Sequence, residues 1–430
     1  MKKYQRAKRK IKLDKERKIL DAMDKFGGND NFFVVVTHQN YIEAMFKCKI
    51  GVIWKSSVQR YIQNAICEID NVIEILLDGK LPPFTSTKII VLSERGKLRA
   101  IVPITIKDRM TQRVLCDNAL VPVLQSKLIY DNGASMKGKG VDFTRRRLNY
   151  HLERAIKEYG SHFYVMTFDF KSFFDSIPHQ TCENILRRYF TDECLIETFM
   201  GIIKSYQRSK LKKLPDSDYK RKMLTKLDNN ESRGICLGSQ ISQIMALVVP
   251  NKLDHYIKDK CGVKHYIRYM DDGVLFSDSK EFLQELYEHM KVIVAELGLS
   301  FNEKKTHIGK ISNGFTFLKV RYKVTDTGKI VKTLSKTGIV RMRRKLKKFR
   351  RLVDEGRMTM DDVYNSMQSW HEHTRVAMAY HARINMVKLY NKLYDGYKLT
   401  KKYQYTEGGK NGKILQIDKW RDFRWDSDAA

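Results

Sequence analysis

Two adjacent carboxylates, Asp271 and Asp272, stand in Tyr269-Met270-Asp271-Asp272-Gly273, between the β-prone stretches Val263 to Arg268 and Val274 to Phe276. The pattern predicts a hairpin with both acids in its turn. Acids placed so closely repel unless a cation is present. The chain carries its own contrast in Met360-Asp361-Asp362, which precedes helical residues and reads as an N-terminal cap. A further acid, Asp169, stands where the apolar run Phe163 to Phe168 stops. Asp169 and Asp271 are the natural pair to bridge two Mg²⁺ ions, which roughly 3.5–4 Å apart stabilise the attacking and leaving oxygens of a nucleotidyl transfer. Asp175 precedes Ser176-Ile177-Pro178 and reads as a helix-start residue.

The rest of the chain must position these acids. Its 430 residues, 42% of them hydrophobic, suffice for a large core and exclude a disordered or fibrous protein. Lysine and arginine number 81 against 49 acids, a formal charge of +32, which points to a polyanionic partner, nucleic acid first. Seven cysteines without a CxxC pair argue against zinc ribbons and disulfide frameworks. The basic N-terminus never reaches an apolar signal region and no run is long enough to span a bilayer, so a reduced, cytoplasmic protein with no membrane contact is expected.

Residues 1–80 read as a helical N-terminal extension, with apolar positions at Tyr61, Ile62, Ile66, Ile69 and Ile73, closed by Leu81-Pro82-Pro83. Period-two alternation from Thr87 to Ile106 around Glu94-Arg95-Gly96-Lys97 predicts a hairpin bearing Arg95, Lys97 and Arg99. Helical spacing returns from Asp108 to Lys127. The polar segment Arg208 to Ser232 reads as an exposed loop, followed by a glycine-containing turn that runs into an apolar helix, then the acidic hairpin and a helix from Lys280 to Leu297. Two short strands are expected up to about Val324, and helix beyond Thr333. In Arg341 to Arg351 eight of eleven residues are basic, while Met342, Leu346, Phe349 and Val353 share one helical face. One side is expected to pack, and the other to meet phosphate through Arg341, Arg343, Arg344, Lys347, Lys348 and Arg351. Residues 406–430 read as a loosely held tail.

The strand ending in Asp169, the Tyr269-Met270-Asp271-Asp272 box and the loop Leu237-Gly238-Ser239-Gln240-Ile241-Ser242-Gln243 between them resemble, in this order, the palm of bacterial reverse transcriptases. The resemblance runs from about Lys88 to Val320. It implies an α+β right-hand polymerase: fingers and palm over 81–325, an antiparallel sheet packed on helices, and a basic helical thumb over 326–405. It further implies that Asp169 and Asp271 hold the metal, two Mg²⁺ with Mn²⁺ as a substitute, with Asp272 as a weaker third acid and Phe170 lending its backbone carbonyl. Lys97 and Arg99 resemble the fingers residues that hold a triphosphate, a task suited to arginine's planar fork. Phe174 falls where the family places the ring under the nucleotide sugar, and Lys305 where a lysine assists pyrophosphate departure. Gly314-Phe315-Thr316-Phe317-Leu318 matches the primer-grip hairpin.

The chain has Leu237-Gly238 and Ser242-Gln243 where many retroviral and group II intron enzymes have Gln-Gly and Ser-Pro. That variant resembles diversity-generating, abortive-infection and other defence-associated enzymes, and it removes an amide from beside the nascent base pair. With no RNase H or Cys/His-rich endonuclease segment expected, the reading is a reverse transcriptase that copies an RNA template into DNA from dNTPs. A structured non-coding RNA is the expected partner and antiviral defence the expected role. A mutagenic diversity-generating enzyme, a template-independent nucleotidyl transferase and a non-catalytic RNA-binding scaffold are the alternatives.

Overall fold

The computed structural model describes residues 30–80, 90–94, 97–101, 103–204 and 232–394. The expected features at 1–29, Leu81-Pro82-Pro83, Arg95, most of the 208–232 loop and 406–430 lie outside the described residues. The principal helices are α1 (His38–Cys48), α2 (Ala65–Leu77), α3 (Ile106–Leu115), α4 (Val141–Tyr159), α5 (His179–Tyr189), α6 (Glu193–Lys204), α7 (Gln240–Val248), α8 (Lys280–Glu296), α9 (Lys336–Asp354), α10 (Met360–Thr374) and α11 (Tyr380–Leu393). Described residues up to Gly309, apart from Gly160–His162, form one compact unit; those three and the residues from Lys310 onward form a second.

Thr37 caps α1 by accepting from the Asn40 amide. Ile69, Val72, Ile73 and Leu76 turn one stripe of α2 inward. Ile66, read from the sequence as part of that stripe, is 77% exposed instead, because the burying face is set by the residues at 65, 69, 72, 73 and 76. Tyr41 on α1 donates to Thr111 on α3 inside the protein, and the N-terminal helices share one hydrophobic core with the helices and strands that follow.

Strands β1 (Ile90–Glu94) and β2 (Lys97–Ile101) form an antiparallel hairpin in which Glu94 faces Lys97 and Leu92 faces Arg99. A four-stranded sheet in the order β4-β5-β3-β6 is built from β3 (Tyr164–Asp169), β4 (Tyr266–Tyr269), β5 (Asp272–Ser277) and β6 (His307–Lys310). β5 pairs antiparallel with both neighbours, so Asp169 faces Asp272 and Tyr269 faces Asp272 across the other edge.

In the second unit β7 (Phe315–Phe317), β8 (Val320–Val324) and β9 (Ile330–Leu334) form an antiparallel sheet. The sequence reading lacked β9, since Ile330 to Leu334 mixes apolar and basic residues and all five are half-buried. Helices α9, α10 and α11 then enclose a small core that includes Met342, Leu346, Val363, Met367, Met386 and Tyr390.

Gly273 fixes how tightly β3 and β5 can pair. The Phe168 ring lies across it, and a Cβ at Gly273 would stand 2.1 Å from that ring's Cζ. Gly273→Ala is therefore expected to cost about 1–3 kcal/mol by overpacking, a drop of several degrees in Tm. Phe168→Leu placed in the same chain should restore most of the loss. Calorimetry of the two variants checks this, and an additive double mutant would show that the ring is not the obstacle.

Candidate active site

Asp169 closes β3 and is 5% exposed. The segment after α8 clamps it: the Asn302 amide donates to the Asp169 carbonyl at 2.7 Å, the Asn302 side chain to Oδ1 at 3.3 Å, and Lys305 Nζ to Oδ2 at 2.5 Å. Nearby, the Lys171 amide donates to the Ser300 carbonyl and Phe170 bridges to Phe301. The Phe170 ring is stacked between those of Phe173 and Phe301, with centroids 5.1 and 5.3 Å away. Only its backbone is left to serve a site.

β4 and β5 are joined through Met270 and Asp271. Met270 has φ 54°, a left-handed conformation that a side chain makes costly by about 1–2 kcal/mol. The turn is held from below by Arg268, whose side chain is fully buried. Arg268 Nε and NH2 meet the two Asp254 oxygens at 2.7 and 2.6 Å, NH2 also donates to the Leu247 carbonyl on α7 at 2.8 Å, and NH1 donates to the Met270 carbonyl at 2.8 Å. Tyr266 donates its hydroxyl to Asp254 as well. Burial works against the guanidinium's charge, and Asp254 outweighs it, so the group stays ionised. One buried fork thus ties the acidic turn to α7 and to the short helix Asn251–His255.

Three acids are brought to one end of the sheet. Asp272, half-buried, has its carboxyl pushed up to about 7, first by burial and then by the negative charge of Asp271 and Asp169, with Lys305 opposing. Burial opposes the charge on Lys305 in turn, but its hydrogen bond to Asp169 and the fields of Asp169, Asp272 and Asp271 outweigh this and raise its pKa. Among the described residues no three His, Cys, Asp or Glu side chains close into a metal cage. The arrangement nonetheless fits a hard cation: its donors are carboxylate oxygens, the choice of Mg²⁺, and the mutual repulsion of Asp169 and Asp271 with Asp272 is what such an ion would relieve.

The remaining expected site residues are dispersed around this centre. Phe174 is half-buried, edge-on to Phe173 with centroids 5.7 Å apart. Gly238 takes φ 108° just before the cap of α7, with Leu237 half-buried beside it. Ser239 donates to the buried Gln112 Oε1, which also accepts from the Gln240 amide, so α3 fixes the start of α7. Lys97 and Arg99 lie in β2, with their side chains outside the described structure. Asp175 lies in the single turn Phe173–Ser176, whose cap is Ser172. In the second unit Arg341, Arg343, Arg344, Lys347, Lys348 and Arg351 are all exposed on α9, opposite the buried Met342 and Leu346. Sequence reasoning missed Arg268, Asp254, Asn302 and Gln112. Only Arg268 leaves a trace there, as the one charged residue inside Tyr266 to Tyr269.

The fold is that of a right-hand polymerase, with the three acids at one end of an antiparallel sheet. Residues 88–322 match the family described as reverse transcriptase (RNA-dependent DNA polymerase), and the chain belongs to that family. Protein YkfC of Escherichia coli is 22% identical over 276 residues, covering 56% of this chain and 68% of that protein. Among solved structures, the apo telomerase of Candida tropicalis truncated from its C-terminal domain is 15% identical with a TM-score of 0.38, covering 59% of this chain and 56% of that one. The telomerase of Candida albicans in complex with a fragment of telomeric RNA is 14% identical, also at 0.38, covering 72% and 61%. This chain spans less than two thirds of either telomerase chain. Among the described residues no helix is long and apolar enough to cross a membrane.

The raised Asp272 carboxyl has a consequence for stability. It titrates near 3.8 when unfolded and about 7 when folded, so the folded chain binds that proton more tightly. Its contribution to folding is complete below pH 4 and is lost as pH rises through 7. In metal-free buffer Asp272→Asn should therefore melt above the parent at pH 8, with the gap closing toward pH 5. A melting difference that does not vary with pH would contradict this origin.

Proposed function

We propose that the protein copies an RNA template into DNA by two-metal nucleotidyl transfer at Asp169, Asp271 and Asp272. The observation that carries this reading is the register pairing of Asp169 with Asp272 beside the Asp271 turn, where burial and then the charges of Asp271 and Asp169 raise the Asp272 carboxyl against the pull of Lys305. These three carboxylates, with the Phe170 carbonyl, would hold two Mg²⁺, which supply charge neutralisation at the attacking 3′-oxygen and the departing pyrophosphate. Lys305 is paired with Asp169, and once that ion pair opens its proton would pass to the departing pyrophosphate. Lys97 and Arg99 hold the triphosphate, and Leu237 and Gly238 border the nascent base pair. Phe174 packs under the sugar and excludes a 2′-hydroxyl, giving preference for dNTPs.

The exposed face of α9 grips the phosphates of the RNA–DNA product, and Met342 and Leu346 keep that face turned outward. A charge of +32 exceeds what one short heteroduplex requires, which supports a dedicated structured non-coding RNA as partner. The Leu237-Gly238 and Ser242-Gln243 variant supports a role in antiviral defence, with programmed mutagenesis as the second reading.

Purified protein incubated with Mg²⁺, a primed RNA and dNTPs should extend the primer. Asp271→Ala combined with Asp272→Ala should abolish extension while RNA affinity stays within about threefold, since removing acids relieves repulsion without touching a phosphate contact. Incorporation by the double variant would place the chemistry elsewhere, and incorporation without template would favour a template-independent transferase.

A further inference from the structure

Away from the acidic centre, α4 carries a surface motif that the proposed reaction does not use. Phe143, Arg147, Tyr150 and Arg154 follow one another at spacings of four, three and four, which places them in one row along the helix. The preceding loop folds Tyr130 and Lys139 onto the same row. Arg147 stands between two rings, 4.9 Å from the Tyr130 centroid and 4.6 Å from that of Tyr150. Arg154 covers Tyr150 at 5.4 Å, and Lys139 lies 5.2 Å from Tyr130 and 5.4 Å from Phe143. Cations and rings therefore alternate in an unbroken ladder.

The two tyrosines are 64% and 43% exposed, an unfavourable place for such rings unless something covers them. Burial explains neither ring. The ladder is anchored through Arg147 and Lys139. Asp131, itself buried, accepts from Arg147 Nε at 2.7 Å, and Lys139 donates to the Tyr130 and Asn132 carbonyls. Arg154 is exposed at the far end, with Arg146 exposed on the same helix. A guanidinium stacked on a ring keeps its in-plane N–H groups pointing outward, the geometry that meets phosphate. A base can take the place of the exposed Arg154 over Tyr150 while that arginine swings to the neighbouring phosphate.

We propose that this ladder binds an unpaired stretch of RNA, its bases stacked on Tyr130 and Tyr150 and its phosphates met by Arg147 and Arg154. Charge selects a polyanion, and rings left this exposed between cations select one whose bases are unpaired, because a duplex offers phosphates alone. The choice of RNA over DNA rests on the proposed function, in which RNA is the template.

The test uses the full chain in EDTA, so that no synthesis occurs and loss of activity is irrelevant to the result. A short unstructured RNA carrying 4-thiouridine is titrated by fluorescence anisotropy, then photo-crosslinked and mapped. Crosslinks are expected at Tyr130 or Tyr150. Tyr130→Ala with Tyr150→Ala should weaken binding at least tenfold, equivalent to about 1.4 kcal/mol. Tyr130→Phe with Tyr150→Phe should bind within twofold of the parent, because the rings remain. A fully paired RNA of equal charge should lose less than threefold on the alanine changes. Absence of crosslinks between residues 130 and 154, or alanine variants that bind within twofold while melting like the parent, would overturn the proposal. Equal loss for paired RNA would reduce the ladder to a phosphate contact, and equal loss for DNA of the same sequence would overturn the choice of RNA. Binding in EDTA needs no synthesis, whereas the polymerase reading is tested by primer extension in Mg²⁺, so failure of that reading and failure of this one are read separately.

Discussion

A single guanidinium with no exposed surface organises the centre of the first unit. Arg268 is tied at once to Asp254, to the Leu247 carbonyl and to the Met270 carbonyl. Taking such a pair out of water costs several kcal/mol per ion, which is repaid only where geometry is good and remaining donors are satisfied. Here Asp254 is met twice by the fork and once by Tyr266. Position is what the network supplies. Met270 is left-handed without being glycine, and the donor on its carbonyl holds in place a turn that would otherwise relax. Asp271 and Asp272 thereby stand at the end of the sheet, opposite Asp169.

The acid cluster is the counterpart of that constraint. Burial, and then the charges of Asp271 and Asp169, raise the proton affinity of Asp272. The fold keeps them together by backbone pairing, which no side-chain repulsion can break cheaply, and by the clamp that Asn302 and Lys305 place on Asp169. A chain of net charge +32 thus concentrates negative charge at one point of its four-stranded sheet. Lys305 pairs with Asp169 at that point, while in the second unit the basic face of α9 stays exposed.

Much of this was legible in the sequence, for physical reasons that differ from residue to residue. Asp169 and Asp271 announce themselves because a carboxylate ending an apolar strand is costly without a purpose, and the order of the three motifs carried the family. The packing side of α9 was equally open, since Met342 and Leu346 repeat at helical spacing. Arg268 and Asp254 were not legible as partners. They lie 14 residues apart on a strand and a helix, and nothing in local composition says that a charged side chain turns inward. Asn302 is likewise an ordinary polar residue until the segment after α8 folds back on β3. β9 escaped because its residues are half-buried and alternate weakly. The ladder on α4 was present as a spacing of four, three and four, but its meaning needed the loop that adds Tyr130.

The most direct measurement separates positioning by Arg268 from mere stability. Arg268→Met, Asp254→Leu and Tyr266→Phe together replace the buried network by apolar groups of similar size, an exchange that is often neutral for folding. RNA-templated dNTP incorporation is then followed against Mg²⁺ concentration, at a temperature where near-ultraviolet circular dichroism shows both proteins fully folded. If the guanidinium holds the acidic turn in place for the metals, the triple variant should remain folded and bind RNA as the parent does, yet lose at least tenfold in incorporation and need more Mg²⁺ for half its maximum. Incorporation equal to the parent's at the same Mg²⁺ concentration would contradict that role.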